Sequence, residues 1–274
     1  MLITKRLDDV KSETYYKMLL LGDSKTGKTN AFRTFPTPSL AIGLTPRTRA
    51  ALAGAKDIEL VEHFEQKPTV KKKAGNIEYR LSPKAWDDLW HTIVDLWELA
   101  HGEDSFPYRS VMLDDLSTAN LISMNHVLGL KKKNGEEVPT GLAGAPAQQH
   151  YMPQMALMER LINSLFLTLP CHILVCGHMT FKENVDTGIS AYYPAVFGNL
   201  RERIPSWFDE VYETAIVRKD QRTKYVWKTK GYGQKQFLGS TINKGLWKGD
   251  FEVDLTESCC GFRKMLEMKG GDTA

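Results

Sequence analysis

The segment 22–29, with the sequence GDSKTGKT, matches the pattern G-x-x-x-x-G-K-[ST] of a phosphate-binding loop. A largely apolar run (17–21, KMLLL) precedes it and a helix-compatible segment follows it, which is the strand–loop–helix setting that the motif requires. Near-continuous apolar runs are typical of strands covered on both faces, as in a parallel sheet. The motif therefore predicts an α/β fold with a mostly parallel sheet flanked by helices and a nucleotide at one edge of the sheet.

The residues of this loop have separate expected roles. Glycines permit the backbone turns that point successive N–H groups inward, and the first turn of the following helix adds positive potential. The Lys28 ammonium is predicted to reach the β- and γ-phosphates, and the Thr29 hydroxyl to bind Mg²⁺. The alternative is an ordinary glycine-rich turn. The predicted nucleotide-binding residues are Gly22, Asp23, Ser24, Lys25, Thr26, Gly27, Lys28, Thr29 and Asn30.

A second apolar segment, 109–115 (RSVMLDD), ends in two acids. In nucleotide-hydrolysing P-loop proteins a buried strand delivers a carboxylate to the Mg²⁺ ion at its carboxyl end. Strands often end in aspartate, so the pattern gains weight only from the phosphate-binding loop upstream. We expect Asp114 to hold the metal, directly or through water, and Asp115 to polarise the attacking water.

His178 follows a third apolar segment (171–177), where a strand's carboxyl end would face the nucleotide. A polar group there can hydrogen-bond the γ-phosphate or the attacking water and report hydrolysis to nearby loops. The alternative is a surface histidine at a strand end. Cys171, His172, Cys176 and His178 are not expected to form a zinc site, because alternate residues of a strand point to opposite faces.

Two basic segments suggest a polyanionic partner. The first is a lysine triplet in a glycine- and alanine-rich loop, and the second (218–235) mixes cations with aromatic residues. Cations beside aromatic rings suit single-stranded nucleic acid, through phosphate attraction and base stacking. A loop as long as the one that holds the triplet is usually functional or disordered, and a solvated hairpin is the alternative for 218–235. The predicted nucleic-acid-binding residues are Lys131, Lys132, Lys133, Arg218, Lys219, Arg222 and Lys224.

Composition sets outer limits. The chain has 274 residues and a formal net charge of +3, which by itself does not indicate nucleic-acid binding. Four cysteines without paired spacing, no secretory leader and no run of eighteen apolar residues predict a reduced, cytoplasmic protein with no membrane span. The predicted organisation is an arm (1–14), a nucleotide-binding domain (15–250) with insertions at about 66–82 and 131–150, and a tail (251–274) with a short helix.

Local patterns predict further elements. Residues 66–82 alternate like an exposed β-hairpin, and 83–100 have the apolar spacing of an amphipathic helix. Residues 192–205 look loop-like, and a strand is expected to run from about 208 to 217. A terminal helix is expected within 256–268.

Taken in order, these stretches resemble the phage-encoded RecA-like ATPases of the single-strand-annealing and recombination type. The resemblance covers residues 15–245 and rests on the phosphate-binding loop, the 111–115 and 177–178 strand ends, FGN at 197–199, FDEV at 208–211 and WKTKG at 227–231. It implies a RecA-like core with a β-hairpin insertion and a C-terminal β extension, ATP hydrolysis with Mg²⁺, and self-assembly into a ring or filament on single-stranded DNA in a bacterial host's cytoplasm. Lys228 and Lys230 match the family's Lys-x-Arg/Lys element near a neighbouring subunit's nucleotide.

One departure concerns the general base. RecA itself has a catalytic glutamate at the end of the strand after the loop helix, whereas here that strand ends Gly43-Leu44-Thr45. Asp115 and Glu62 are the remaining candidates. Two other functions stay open: a motor or loader ATPase of the helicase-loader or packaging type, and a nucleotide-gated assembly protein that hydrolyses little.

Overall fold

The computed structural model describes nine stretches of the chain. The predicted arm (1–14) and lysine triplet (131–133) lie outside these stretches. For 69–73, 76–80, 129, 219 and 222, backbone structure is described but side chains are not. The described ranges are 15–64, 69–73, 76–80, 84–129, 146–183, 190–219, 222–240, 250–253 and 261–269.

One large sheet organises the described residues. Its strand order is β13-β11-β10-β1-β7-β6-β2-β3, and β12 pairs with β10 outside this path. The six strands from β10 to β3 are parallel, whereas β11, β12 and β13 add antiparallel pairs at one side. The large-sheet strands are β1 (Lys17–Gly22), β2 (Ser39–Gly43), β3 (Ile58–Glu62), β6 (Ser110–Asp114), β7 (His172–Gly177), β10 (Glu210–Lys219), β11 (Arg222–Lys228), β12 (Gly239–Ser240) and β13 (Phe251–Val253).

Two small hairpins accompany this sheet. One pairs β4 (Thr69–Lys73) with β5 (Asn76–Arg80), within the predicted insertion. The other pairs β8 (Met179–Glu183) with β9 (Ser190–Pro194), directly after His178. The large parallel sheet, the hairpin insertion and the antiparallel β extension near the C-terminus confirm the predicted α/β class with a mostly parallel sheet.

Helices cover both faces of the sheet because the apolar residues of its central strands alternate between two cores. Leu19 and Leu21 of β1 face a core that includes Leu89 and Ile93, whereas Leu20 faces a second core. No helix in the described residues is long and apolar enough to cross a membrane. The α-helices are α1 (Pro46–Leu52), α2 (Lys84–His101), α3 (Leu116–Gly129), α4 (Gln148–Glu159), α5 (Leu200–Arg203) and α6 (Phe262–Met268). Shorter helical turns are 3₁₀ (Thr29–Thr34, Phe166–Thr168, Ile204–Trp207) or π (Arg160–Leu165).

The structure corrects two predictions. Residues 192–205 are not loop-like, since they contain most of β9, then α5 and a 3₁₀ turn. The polar and aromatic residues of β9 acquire strand structure from pairing with β8, which a local pattern does not reveal. The predicted loop 131–150 ends earlier than expected, because α4 begins at Gln148. For 45–57 the sequence predicted no element, yet α1 lies there.

The C-terminal helix α6 packs against the helix that follows the phosphate-binding loop. The rings of Phe35 and Phe262 stack with centroids 4.1 Å apart, and the Phe262 N–H donates to Thr34 Oγ1 at 2.9 Å. Just after α6, the buried Lys269 ammonium pairs with the buried Glu210 carboxylate at the start of β10. The segment 262–269 therefore contacts both the helix that follows the phosphate-binding loop and the large sheet.

His172, at the start of β7, makes the stability depend on pH. Its Nδ1 accepts the Tyr16 N–H at 3.1 Å, and burial, aided by the charges of Lys17 and Arg109, lowers the pKa of this histidine from 6.5 to about 4. The unfolded chain therefore binds more protons than the folded chain between pH 6.5 and 4, so acidification through this window should cost at most about 3 kcal/mol.

The His172→Gln variant keeps a hydrogen-bond acceptor but does not titrate. Urea unfolding at pH 7 and pH 4 should show a smaller loss of stability in this variant than in the wild type. Equal losses in the two proteins would contradict the assignment.

Candidate functional site: the phosphate-binding cleft

The phosphate-binding loop joins the carboxyl end of β1 to the 3₁₀ helix Thr29–Thr34. Gly22 must lack a side chain, because a Cβ there would lie 2.4 Å from Thr214 Oγ1 and 2.5 Å from the Thr214 carbonyl oxygen. Gly27 has a φ of 90° and Lys25 a φ of 67°, both in the left-handed region. The Thr26 and Thr214 hydroxyls lie 2.6 Å apart, so the loop is in direct contact with β10, which carries Thr214.

Lys28 lies inside the loop. Its side chain is 7% exposed, and its ammonium donates to the carbonyl oxygens of Gly22 at 2.9 Å and Asp23 at 2.6 Å. Burial lowers the pKa of this lysine, and the nearby acidic groups, among them Asp114 and Asp115, oppose that effect. The Lys28 ammonium is therefore a buried cation inside the phosphate-binding loop.

Asp114, at the end of β6, receives two hydroxyl groups on one oxygen. Thr29 Oγ1 donates to Asp114 Oδ2 at 3.0 Å, and Thr48 Oγ1 donates to the same oxygen at 2.7 Å. The carboxylate is 5% exposed, and burial raises its pKa while the two hydroxyl groups lower it. The loop and the carboxylate predicted to hold the metal therefore meet directly.

Asp115 has a different environment. Its Oδ1 accepts the Thr118 N–H at 2.7 Å, at the beginning of α3, and its Oδ2 lies 3.9 Å from His178 Nε2. The His178 N–H donates to Ser117 Oγ at 3.3 Å. One carboxylate oxygen thus caps a helix while the other faces the histidine.

These groups line one cleft with a volume of about 450 Å³, within the usual range for ligand sites. Asp114, Asp115 and His178 lie in it with most of the loop, as the sequence predicts. The cleft also contains Arg47, which the sequence reasoning missed. It could have been suspected, because the residues after β2 lie at the same sheet edge as those after β1 and β6. The lining residues are Ser24, Lys25, Gly27, Lys28, Thr29, Asn30, Thr45, Arg47, Ala51, Asp114, Asp115 and His178.

Glu62, the other candidate base, lies elsewhere. It ends β3 at the edge of the sheet, its Oε2 pairs with Arg49, and it does not line the cleft. Its Oε1 is buried without a hydrogen-bond partner among the described residues. Within one chain, the geometry favours Asp115 over Glu62 as the group that faces a bound nucleotide.

Lys228 and Lys230 lie away from the cleft. Lys228 Nζ donates to the Tyr232 hydroxyl at 2.9 Å and lies 4.3 Å from the centre of that ring. The Tyr232 hydroxyl in turn contacts Glu213, whose other oxygen accepts the Lys235 ammonium at 2.5 Å. Lys228 and Lys230 line a separate groove with Tyr232, and neither lines the phosphate-binding cleft of this chain.

The predicted nucleic-acid residues that the structure describes lie on the hairpin formed by β10 and β11. Arg218 is exposed near the end of β10. Lys224 is not a free cation, because its ammonium pairs with Glu252 of β13 at 2.8 Å. Lys219 and Arg222 pair with each other in register as the last residue of β10 and the first residue of β11, and their side chains are outside the description.

Comparisons with known proteins give a family and one weakly similar solved structure. The sequence profile described as "AAA domain" matches residues 14–236, well over half of the chain. No curated protein matches the sequence. Among solved structures, the flagellar accessory protein FlaH from Methanocaldococcus jannaschii is similar at 9% identity and a TM-score of 0.38, over 87% of this chain and 84% of that one.

Proposed function

We propose that this chain, which belongs to the AAA domain family, binds ATP with Mg²⁺ in the phosphate-binding cleft and hydrolyses it. We further propose that hydrolysis is coupled to action on single-stranded DNA in phage recombination, annealing or replication. The observation that carries the first part is the 3.0 Å hydrogen bond between Thr29 Oγ1 and Asp114 Oδ2. It brings together two motifs that are 85 residues apart in the chain.

The donor atoms suit Mg²⁺. A hydroxyl and a carboxylate are hard oxygen ligands, and Mg²⁺ typically uses one or two carboxylates together with water and substrate phosphates. The described residues contain no cluster of three or more histidine, cysteine or acidic side chains that would form a protein-only metal cage. Thr29 and Asp114 would hold the ion, which when bound neutralises charge on the β- and γ-phosphate oxygens.

The protein groups have distinct tasks in this proposal. Lys28 attracts the phosphates from within the loop, and Arg47 in the first turn of α1 adds a second cation to the cleft. Asp115 orients the attacking water and accepts its proton, since the Thr118 N–H holds one oxygen and leaves the other toward the cleft. His178 contacts the γ-phosphate or that water, and the β8–β9 hairpin that starts at the next residue receives its movement.

Self-assembly would complete the site. Lys228 and Lys230 do not line the cleft of their own chain, which is the arrangement expected if they act on a neighbouring subunit's nucleotide. The proposal is a ring or filament with ATP at the subunit interface. Electron micrographs with single-stranded DNA and a non-hydrolysable ATP analogue distinguish these assemblies from a monomer.

Binding to single-stranded DNA is expected to weaken as salt rises. Fluorescence anisotropy with a labelled oligothymidylate should give a log–log slope of about −0.7 for each phosphate that is neutralised. Changing Lys131, Lys132 and Lys133 together to alanine should reduce that slope by about 2, and Arg218→Ala by less than 1. Both variants should also bind the oligonucleotide more weakly.

Lys224→Ala is the matched control on the same hairpin as Arg218. Because Glu252 already neutralises Lys224, its loss should change the slope less than the loss of Arg218 does. Binding that is absent or insensitive to salt would contradict the DNA proposal. ATP turnover stimulated by a protein partner instead of single-stranded DNA would indicate a motor or loader ATPase.

A further inference from the structure

Helix α1 brings a buried hydroxyl to the proposed metal carboxylate. It begins at Pro46, one residue after Thr45 of the cleft wall, and Thr48 lies in its first turn. Thr48 is fully buried, and its Oγ1 donates to Asp114 Oδ2 at 2.7 Å. No motif in the sequence predicted this contact, because 66 residues separate the two side chains.

Packing fixes the position of Thr48. A Cβ built on Gly43 would lie 3.0 to 3.2 Å from three atoms of the Thr48 side chain, so the β2 backbone and this side chain are in close contact. The Thr48 N–H donates to the Thr45 carbonyl oxygen at 3.2 Å, and the Leu44 N–H donates to the Asp114 carbonyl oxygen at 2.7 Å. The hydroxyl therefore approaches Asp114 from a rigid corner formed by β2, α1 and β6.

Two hydrogen-bond donors on Asp114 Oδ2 fix the orientation of the carboxylate more firmly than one donor would. A carboxylate that accepts a single hydrogen bond can still rotate about its last side-chain bond, whereas donors from two separate elements fix its plane. Thr29 comes from the phosphate-binding loop, and Thr48 comes from α1, which follows β2. A threonine in a helix often bonds a carbonyl of its own helix, but here the hydroxyl is directed to the carboxylate.

We propose that Thr48 is a positioning residue for the metal site: its hydroxyl holds the Asp114 carboxylate in the orientation in which Asp114 and Thr29 bind Mg²⁺ together. The proposal rests on the proposed function, since it assumes that Mg²⁺ accompanies the nucleotide in this cleft. Groups that orient metal ligands commonly change metal affinity by 10- to 100-fold when they are lost.

Nucleotide affinity with and without Mg²⁺ tests this role without relying on turnover. Titrating a fluorescent ATP analogue in Mg²⁺ and in EDTA gives a ratio of dissociation constants that measures the contribution of the cation. Thr48→Val, which keeps the shape and removes the hydroxyl, should reduce that ratio by about 10-fold and leave the affinity in EDTA within about 2-fold. Thr48→Ser, which keeps the hydroxyl, should retain most of the ratio.

Ser110→Ala is the matched control. Ser110 is fully buried at the opposite end of β6, and its hydroxyl donates to the Pro36 carbonyl oxygen at 2.7 Å. Its loss should leave the ratio unchanged, although it removes one buried hydrogen bond from the same strand. A drop as large as that of Thr48→Val would mean that the ratio reports general destabilisation, and would overturn the proposal.

Further outcomes of the titration decide between the role of Thr48 and the proposed function. An unchanged ratio in Thr48→Val, or equal weakening in Mg²⁺ and EDTA, overturns the role of Thr48 alone. Wild-type affinity that is independent of Mg²⁺ overturns both this role and the proposed function. If Thr48→Val does not fold, Thr48→Ala replaces it. In a chain that already carries Asp114→Asn, the Thr48 substitution should have no further effect on the ratio of dissociation constants.

Discussion

Replacing Asp115 with asparagine is expected to lower the rate of ATP hydrolysis by about 100- to 10,000-fold, the usual contribution of a general base. Asparagine is as good a helix cap as aspartate, so the hydrogen bond from the Thr118 N–H and the stability of α3 should be kept. Affinity for ATP should change by less than about 3-fold, since Asp114 and Thr29 remain in place. Single-turnover hydrolysis and equilibrium titration measure the two quantities separately.

Glu62→Gln is the control for that experiment. Glu62 was the other candidate from the sequence, and it pairs with Arg49 outside the cleft, so its loss should leave hydrolysis within about 3-fold of the wild type. A large loss in Glu62→Gln together with normal hydrolysis in Asp115→Asn would reverse the two assignments. Negligible turnover in the wild type, with nucleotide-dependent oligomers that persist in Asp115→Asn, would instead indicate an assembly protein that is gated by nucleotide.

Replacing Lys28 with methionine is expected to weaken ATP binding by about 100-fold. The ammonium is the buried cation of the loop, and hydrogen bonds to charged groups are worth about 1.5 to 3 kcal/mol each. Methionine keeps an unbranched apolar stem in the loop, so the fold should persist. Isothermal titration with ATP and Mg²⁺ measures the loss, and thermal unfolding shows whether the variant is folded.

Lys25→Met tests whether ATP binding depends on the net charge of the loop or on the buried position of Lys28. Lys25 is exposed, so water and salt screen its charge, and its loss should weaken binding by about 3-fold or less. Equal effects of the two substitutions would mean that the loop attracts phosphate by its overall charge, and that the buried position of Lys28 has no special role.

The parts of the site that the sequence predicted are those whose chemistry lies within one short segment. The loop pattern, the apolar run that ends in Asp114 and Asp115, and the strand that ends in His178 are each local. In a parallel sheet such strand ends meet at one edge, so their proximity follows from the fold class. The hairpin insertion and helix α2 were predicted for the same reason, since a period of two or of 3.6 residues is visible within a single segment.

The parts that were missed depend on contacts between distant segments. Nothing near Thr48 in the sequence indicates that its hydroxyl faces Asp114, and Arg47 enters the cleft only because α1 follows β2. Strand β9 exists through its pairing with β8, and the partner of Lys269 is Glu210, 59 residues earlier. The sequence showed that no acid ends the strand near Thr45. It did not show which side chains surround that position in the fold.

The position of β1 in the middle of the sheet has a consequence for how the chain is made. The Tyr16 N–H bonds His172, 156 residues later, and the Lys17 N–H bonds Asp209, 192 residues later. At about 5 to 20 residues per second, a ribosome needs roughly 10 to 40 s to supply both neighbours of this apolar strand. Until β7 has been made β1 has neither of its native neighbours, and until β10 has been made one side of β1 stays open to wrong pairing. Nucleotide affinity in a newly made chain should therefore appear late, as a sign that both neighbours of β1 are in place.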